Sequence, residues 1–347
     1  MTWYDKDEKQ NKPQDQDDTG HSPPPSTNEP SPPATEAPEA SSAQIPFEFT
    51  GTGGQYFKIW IVNTLLSIIT FGIYSAWAKV RRKQYFYGNT KMAGSSFRYL
   101  ANPVKILKGR MIVFGAFMAY GFLSNLIPAL GVVMLIIIFV MTPWLVVRSL
   151  AFNAHNSAWR NIRFSFQSTY GRAAKVYIAL PIISFFTLNI LYPYMHYRQK
   201  RFIVENSAYG TTPFRFHASG KDYYSVVLWF VLPLLAIGLI LGILYAILGQ
   251  TPLGAFMMLA MPVTPMFIGP VLYFFAFVYF SVKFTNLLYN SGALRHHRFS
   301  STMRMKPYAW IIVTNTLATV LTLGLFHPFA VIRAYRYKMQ HLSLLAK

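Results

Sequence analysis

Five charge-free apolar blocks divide the chain, at Ile59–Ala78, Met111–Val147, Val176–Tyr197, Tyr223–Val282 and Pro307–Ile332, with 20, 37, 22, 60 and 26 residues. One helical crossing of a bilayer takes about 20 apolar residues. The order therefore reads single, double, single, double, single, and predicts an all-α polytopic membrane protein in which single blocks alternate with transmembrane helical hairpins. Between the blocks the pattern changes from continuous to alternating. Phe97-Arg-Tyr99, Phe164-Ser-Phe166 and Phe214-Arg-Phe216 place aromatic and polar residues in turn, as does Phe47-Glu-Phe49 ahead of the first block. That period of two predicts short extended segments in the connecting loops, pairing into a small sheet or anchoring the loops at the interface.

The connections are copies of one unit. An Arg is followed by an aromatic at plus four, Asn-Ser/Thr at plus eight and Phe-x-aromatic at plus sixteen, in the sets Arg81/Tyr85/Asn89/Phe97, Arg148/Phe152/Asn156/Phe164 and Arg198/Phe202/Asn206/Phe214. Weaker echoes occur at Lys283 with Asn290 and Phe299, and at Arg333 with Tyr337. Repetition at fixed offsets makes one structural unit the expectation. On a helix, positions i, i+4 and i+8 share a face, so each unit reads as a helix leaving the bilayer: Arg snorkels to the headgroups, the aromatic sits at the interface, and Asn89, Asn156, Asn206 and Asn290 cap the helix end, Asn tolerating the left-handed conformation.

Charge bears on topology. Residues 81–110 carry eight basic and no acidic side chains, 148–175 five and none, 198–222 five against two, and 283–306 five and none. If every single block crossed, these connections would fall on both faces and break the positive-inside rule. If the single blocks enter and return, all four share the cytoplasmic side together with both termini. The blocks break where a return requires it, at Thr70–Tyr74, Thr187–Pro193 and Thr322–Pro328, with Arg81, Arg198 and Arg333 each eleven residues after the Thr. Four spans with re-entrant blocks and seven simple spans are the two topologies left open.

Composition separates a second region. Residues 1–46 hold nine acidic residues and nine prolines and read as a disordered acidic tail. Residues 47–347, the membrane domain, have only Glu48, Glu205 and Asp222 as acids against 29 Lys and Arg. The basic residues flank apolar blocks rather than forming one patch, which argues against nucleic acid as the partner. Cysteine is absent, so no disulfide frame or thiol chemistry exists.

The run Phe47-Glu-Phe49, Gly51-Thr-Gly-Gly54, Tyr56-Phe57, Trp60, Asn63, Thr70-Phe-Gly-Ile-Tyr74, Trp77, Arg81-Arg82, Tyr85, Gly88-Asn-Thr90 and Phe97-Arg-Tyr99 resembles the YjgN-like bacterial inner-membrane family, a domain of unknown function. The resemblance covers residue 45 to the end and is most specific over 47–110. It implies a multi-pass protein of the bacterial inner membrane and brings no activity, substrate or catalytic residue.

Candidate chemistry is sparse. No carboxylate lies in any apolar block, and Glu205 and Asp222 are expected to pair with Arg198, Lys200, Arg201 or Lys221. His196 and His327 lie late in single blocks, where an interfacial role outweighs proton transfer. His296-His297 lacks a third ligand nearby, so no metal or other cofactor is expected, nor an enzyme. Gly51-Thr-Gly-Gly54 reads as a flexible entry turn rather than a phosphate cradle, and Asn63 and Asn315 as helix–helix hydrogen-bonding groups. Arg81, Arg148, Arg198 and Arg333, presented by equivalent units, are the candidate anion- or lipid-binding residues, set against the simpler view that each marks its own helix exit. Two functions follow: a transporter or permeation protein for an anionic or amphiphilic solute, or a non-transporting membrane protein that binds anionic lipid or a partner through its basic cytoplasmic face.

Overall fold

The computed structural model describes residues 43–260 and 263–346. The acidic tail predicted for 1–46 lies outside them except for its last four residues, which are strand. Ten short strands follow the helices in a regular alternation. They are β1 (Ala43–Phe49), β2 (Thr90–Met92), β3 (Ser95–Tyr99), β4 (Ser157–Trp159), β5 (Ile162–Phe166), β6 (Ser207–Tyr209), β7 (Thr212–Phe216), β8 (Gly292–Leu294), β9 (His297–Ser301) and β10 (Leu342–Ala346). Each pairs antiparallel with its two neighbours, and the ring closes through β1, whose first half pairs with β10 (Ala43↔Ala346) and whose second half pairs with β2 (Phe49↔Thr90). The all-α expectation is therefore wrong: the protein is mixed α and β, with a closed ten-stranded barrel. The alternating Phe-x-aromatic segments are β3, β5 and β7. The three-residue strands that complete each hairpin are too short to show a period, and their partners lie far away in sequence, as with Phe97↔Trp159.

The barrel is five β-hairpins, the fifth assembled from β10 and β1, and each follows a pair of helices. Three pairs are short. They are α1 (Gly53–Ile69) with α2 (Ser75–Gly88); the helix α5 (Tyr170–Ala174), a π-helical turn at Lys175–Ala179 and α6 (Leu180–Phe186) with α7 (Tyr192–Glu205); and α11 (Met305–Leu321) with α12 (His327–Gln340). Two pairs are long: α3 (Pro103–Leu126) with α4 (Pro128–His155), and α8 (Gly220–Leu248) with α10 (Thr264–Asn290), the last two joined through α9 (Pro252–Ala260). Among the described residues only α3, α4, α8 and α10 are long and apolar enough to cross a bilayer.

Each single block is a helix, a turn and a second helix. Phe71 and Gly72, Leu188 and Asn189, and Leu323 and Gly324 have positive φ, and the amides of Gly72, Asn189 and Gly324 each donate to a carbonyl five residues back, at 2.7 Å. This left-handed turn satisfies the last carbonyls of one helix and reverses the chain. From Tyr74 at the turn to Arg81 is seven helical residues, about 10 Å, against a hydrocarbon core of about 30 Å. The tips Phe71, Leu188 and Leu323 are 97%, 87% and 95% exposed, a position that water does not favour and lipid does. All five helix pairs feed one barrel, so their connections lie on one side of the molecule, and the described ends Ala43 and Ala346 pair with each other there.

The core joins barrel to helices. Phe47, Phe49, Met92, Leu342 and Leu344 from the strands pack with Tyr56, Phe86, Ile332 and Met339 from α1, α2 and α12. The plus-four aromatic has a role at two of the units: the Tyr85 hydroxyl donates to the Thr52 carbonyl and accepts from its amide, both at 2.8 Å, and Tyr337 clasps Arg304 in the same way at 3.0 and 2.9 Å. Each pins the segment that enters the first helix of its hairpin.

The Asn caps work by a different physics from the one expected. Asn89, Asn156 and Asn206 occupy the C-cap positions with φ of −93°, −91° and −93°, not left-handed. Their side-chain Nδ2 donates to the carbonyl four residues back, at 2.8, 2.7 and 2.7 Å. In the fourth unit Ser291 is the cap, and Asn290, expected there, instead bonds both backbone groups of Ser301 on β9. In the fifth, His341 takes the position, with Nδ1 2.8 Å from the Tyr337 carbonyl. Asn206→Ala is expected to cost about 1 kcal/mol, the net worth of one such bond, seen as a lowered thermal midpoint in detergent; an unchanged midpoint would remove the capping role.

Candidate functional site

The barrel closes around a chamber of about 790 Å³. Alternation along β3, β5, β7 and β9 sends one face of each strand inward, and the inward residues are aromatic. Phe47, Phe97, Trp159, Tyr209, Phe164, Phe214 and Phe299 follow one another round the wall, with successive ring centroids 6.1, 6.2, 5.6, 5.2, 6.3 and 6.3 Å apart. Ile45 and Leu344, opposite each other on β1 and β10, complete the girdle. Ring pairs of this kind add about 0.5–1.5 kcal/mol each beyond the area they bury, so the girdle stiffens the wall as well as lining it. Burial pushes the Tyr209 hydroxyl pKa up, while Arg160 pulls the other way.

At the membrane-facing end the chamber is closed by helix ends, and its character changes. Tyr87, Tyr289, Tyr335, Asn153, Ser157 and Thr90 line it there, with Thr90 and Tyr335 hydroxyls 3.0 Å apart. Lysines back these groups. Lys83 Nζ donates to Asn153 Oδ1 at 2.7 Å and lies over the Tyr99 ring at 4.6 Å, and Lys338 Nζ lies 5.3 Å from the centre of the Tyr289 ring. Burial lowers the pKa of Lys83, Lys200 and Lys338; Lys79 adds to this at Lys83, and Lys338 adds to it at Lys200. Among the described residues the one salt bridge is Arg201–Glu205 at 2.8 Å, so none of these lysines has a carboxylate partner. The signal in the sequence was faint: Lys83 and Lys200 each stand two after a repeat Arg, in only two of five units.

The arginines singled out by the repeat lie elsewhere. Arg81 sits over the Tyr74 ring, Arg148 over Trp144 and Arg198 over Tyr194, each stacked on its own helix at 5.5–6.0 Å. Arg333 donates to Asn315 Oδ1 at 2.9 Å, while Asn315 donates to the Ala330 carbonyl at 3.0 Å and so ties α11 to α12. Of the two acids, Glu205 pairs with Arg201 as expected, but Asp222 accepts the Ser219 amide at 2.7 Å and caps α8 rather than forming an ion pair. His196 is packed against Phe284 and Tyr223, and His327 against Trp60. Gly51 and Gly53 are steric necessities, since a Cβ would overlap the Phe49 ring at one and the Phe329 ring at the other.

A family model described as "Bacterial protein of unknown function (DUF898)" matches residues 44–347. The chain belongs to this family. Among curated proteins it is similar to the inner membrane protein YjgN of Salmonella typhimurium, 32% identical over 120 residues, and to YjgN of Escherichia coli O157:H7 and K12, 34% and 33% identical over 121 and 126 residues. Each match covers 34–35% of this chain and 30% of the relative's length. No solved structure matches. Membership in this family, together with the four long apolar helices, makes the chain a multi-pass inner-membrane protein that contacts lipid.

Proposed function

We propose that the protein takes an amphiphilic anion into the barrel chamber and exchanges it with, or passes it through, the bilayer. The observation that carries this is the pairing of an aromatic wall with a polar end backed by half-buried lysines, Lys83 behind Asn153 and Lys338 behind Tyr289, neither of which has a carboxylate partner among the described residues. An apolar tail gains from the wall at about 25 cal/mol per Å² removed from water, and a carboxylate or phosphate headgroup supplies the charge the lysines lack. A chamber of this size is within the range that ordinary ligands fill. The barrel side is assigned to the cytoplasm, with both chain ends, because the basic connections all gather there and the apolar tips lie opposite.

Trp159 is a reporter in the wall. A brominated fatty acid that enters the chamber is expected to quench Trp159 emission, measured as the difference between the protein and its Trp159→Phe variant in detergent. Lys83→Gln/Lys338→Gln should weaken the affinity read from the quenching by about tenfold or more, each lost charge-assisted contact being worth about 1.5–3 kcal/mol. Equal quenching in protein and Trp159→Phe would mean that no chain enters, and the proposal would fail.

A second reading has its own support. Arg81, Arg148 and Arg198, each laid over an aromatic four to seven residues before it, suit the binding of anionic headgroups without transport. Flux of the same fatty acid across proteoliposomes separates the two, since only the first requires it.

A further inference from the structure

On the outer wall of the barrel, a pocket of about 360 Å³ is lined by Arg215, His217, Ala293, Arg295, His296 and Arg298. We propose that it is a binding site for the phosphate oxyanion of a water-soluble ligand, with Arg215, Arg295 and Arg298 as the donors.

The pairing register builds the pocket. Arg215 on β7 faces Ala293 on β8, and Ala293 faces Arg298 on β9, so two arginines stand on the outer face across one small, buried residue. Adjacent strands are about 4.8 Å apart, which leaves the guanidinium stems about 10 Å apart at their bases over an alanine floor. Arg295 joins them from the β8–β9 turn, held at φ 57°. None of the three has a hydrogen-bond or carboxylate partner among the described residues. Guanidinium groups presented from a rigid sheet into one trough match an oxyanion with several acceptor oxygens, because each offers a planar fork of donors.

The same scaffold occurs a second time and is closed there. Arg98 on β3 faces Ala158 on β4, which faces Arg163 on β5, an identical Arg-Ala-Arg row. In that copy Arg98 donates to Asn161 Oδ1 at 3.2 Å, and Arg163 lies 3.1 Å from His155 Nε2. The turn residue equivalent to Asn161, thirteen after the unit's first basic residue, is His296 in the other copy. Strand geometry alone therefore does not leave arginines unpartnered; two replacements open one trough and not the other, His296 for Asn161 at the turn and, where His155 meets Arg163, Asn290, which is engaged with Ser301.

Position selects the source of the anion. From Lys283 at its helix exit to Asn290, α10 rises seven residues, about 10 Å, before β8 begins. Arg198 to Glu205 on α7 gives the same climb below β6 and β7. The pocket thus stands clear of the headgroup plane marked by the interfacial basic residues, and faces water.

The test is calorimetric titration of the full chain with pyrophosphate, in uncharged detergent at fixed salt. Arg215→Gln/Arg298→Gln, both exposed and so tolerated by the fold, should lower affinity by about tenfold or more, while Arg98→Gln/Arg163→Gln should leave it within about twofold. Equal losses in both variants would reduce the site to general basicity and overturn it, as would failure of pyrophosphate to bind. Dependence on Arg215 and Arg298 of binding to phosphatidylglycerol nanodiscs, but not of pyrophosphate binding, would assign the site to lipid and refute a soluble ligand. Tightening of about tenfold or more when the nine carboxylates of residues 1–42 are replaced by amides would instead assign the pocket to the chain's own acidic segment. None of these outcomes depends on whether the inner chamber binds an amphiphile.

Discussion

A chain ending at His341 is expected to lose the folded barrel altogether. Residues Leu342–Ala346 form the strand that joins β1 to β9, with Leu344 facing Phe299 on one side and Ile45 on the other. Without it both neighbours become open edges, with unpaired amides and carbonyls that invite pairing between molecules. Leu342 and Leu344 are 4% and 8% exposed within the cluster that holds barrel to helices. Truncating a buried leucine to Ala costs about 2–5 kcal/mol, and a typical domain is stable by only about 5–15 kcal/mol. Losing both side chains and two ladders therefore exceeds the margin. The truncated chain should run as aggregate in detergent size-exclusion chromatography. Leu344→Ala, which keeps the strand, should stay monodisperse but melt at lower temperature. A truncated chain with an unaltered elution profile and thermal midpoint would show that the ring need not close.

Charging the tips of the three short hairpins should have the next largest effect. If Phe71, Leu188 and Leu323 lie in hydrocarbon, Phe71→Asp, Leu188→Asp and Leu323→Asp combined add three carboxylates where each costs roughly 2.5–3.5 kcal/mol by insertion scales. The expected result is a sharp fall in the membrane-integrated fraction, with single substitutions intermediate. Because the chain has no native cysteine, single cysteines at the same three positions give an independent reading. Impermeant thiol reagents should fail to label them from either side, while a membrane-permeant maleimide labels them. Efficient labelling by the impermeant reagent from the face opposite the barrel would mean that the short hairpins reach across, and the re-entrant geometry would be wrong.

Both experiments depend on a distinction between local and distant information in this chain. The helical pairs are local. Their charge-free lengths, the Thr-x-Gly or Leu-Asn breaks, and the Arg at plus eleven could be placed from residues within one helix of each other, because a helix hydrogen-bonds only to itself and a turn of positive φ needs only its own residues. The caps at Asn89, Asn156 and Asn206 belong to the same class, although the amide-to-carbonyl bond that makes them work was not evident from residue preference alone. Asn290 shows the limit of the repeat: one residue out of step, it bonds the second strand of its own hairpin instead of capping its helix.

The barrel is not local, and only the tertiary structure decided it. A strand of three residues such as Ser157–Trp159 buries no face of its own and carries no measurable period. It becomes a strand because β3, about 60 residues earlier, and β5 both present matching backbone groups. The fifth hairpin draws its two strands from opposite ends of the described chain. Closure then determines what the inward and outward faces enclose. Alternating aromatics that read singly as interface anchors become a continuous wall around a chamber. Lysines from α2 and α12 come to stand behind its polar end, and arginines from β7 and β9 come to share one trough. Membrane residence, five apolar blocks of two lengths with the places where the short ones break, and a repeated exit unit were legible in the sequence, since each is written in contiguous residues. Which side chains meet was decided by a ring of hydrogen bonds whose partners no local pattern names.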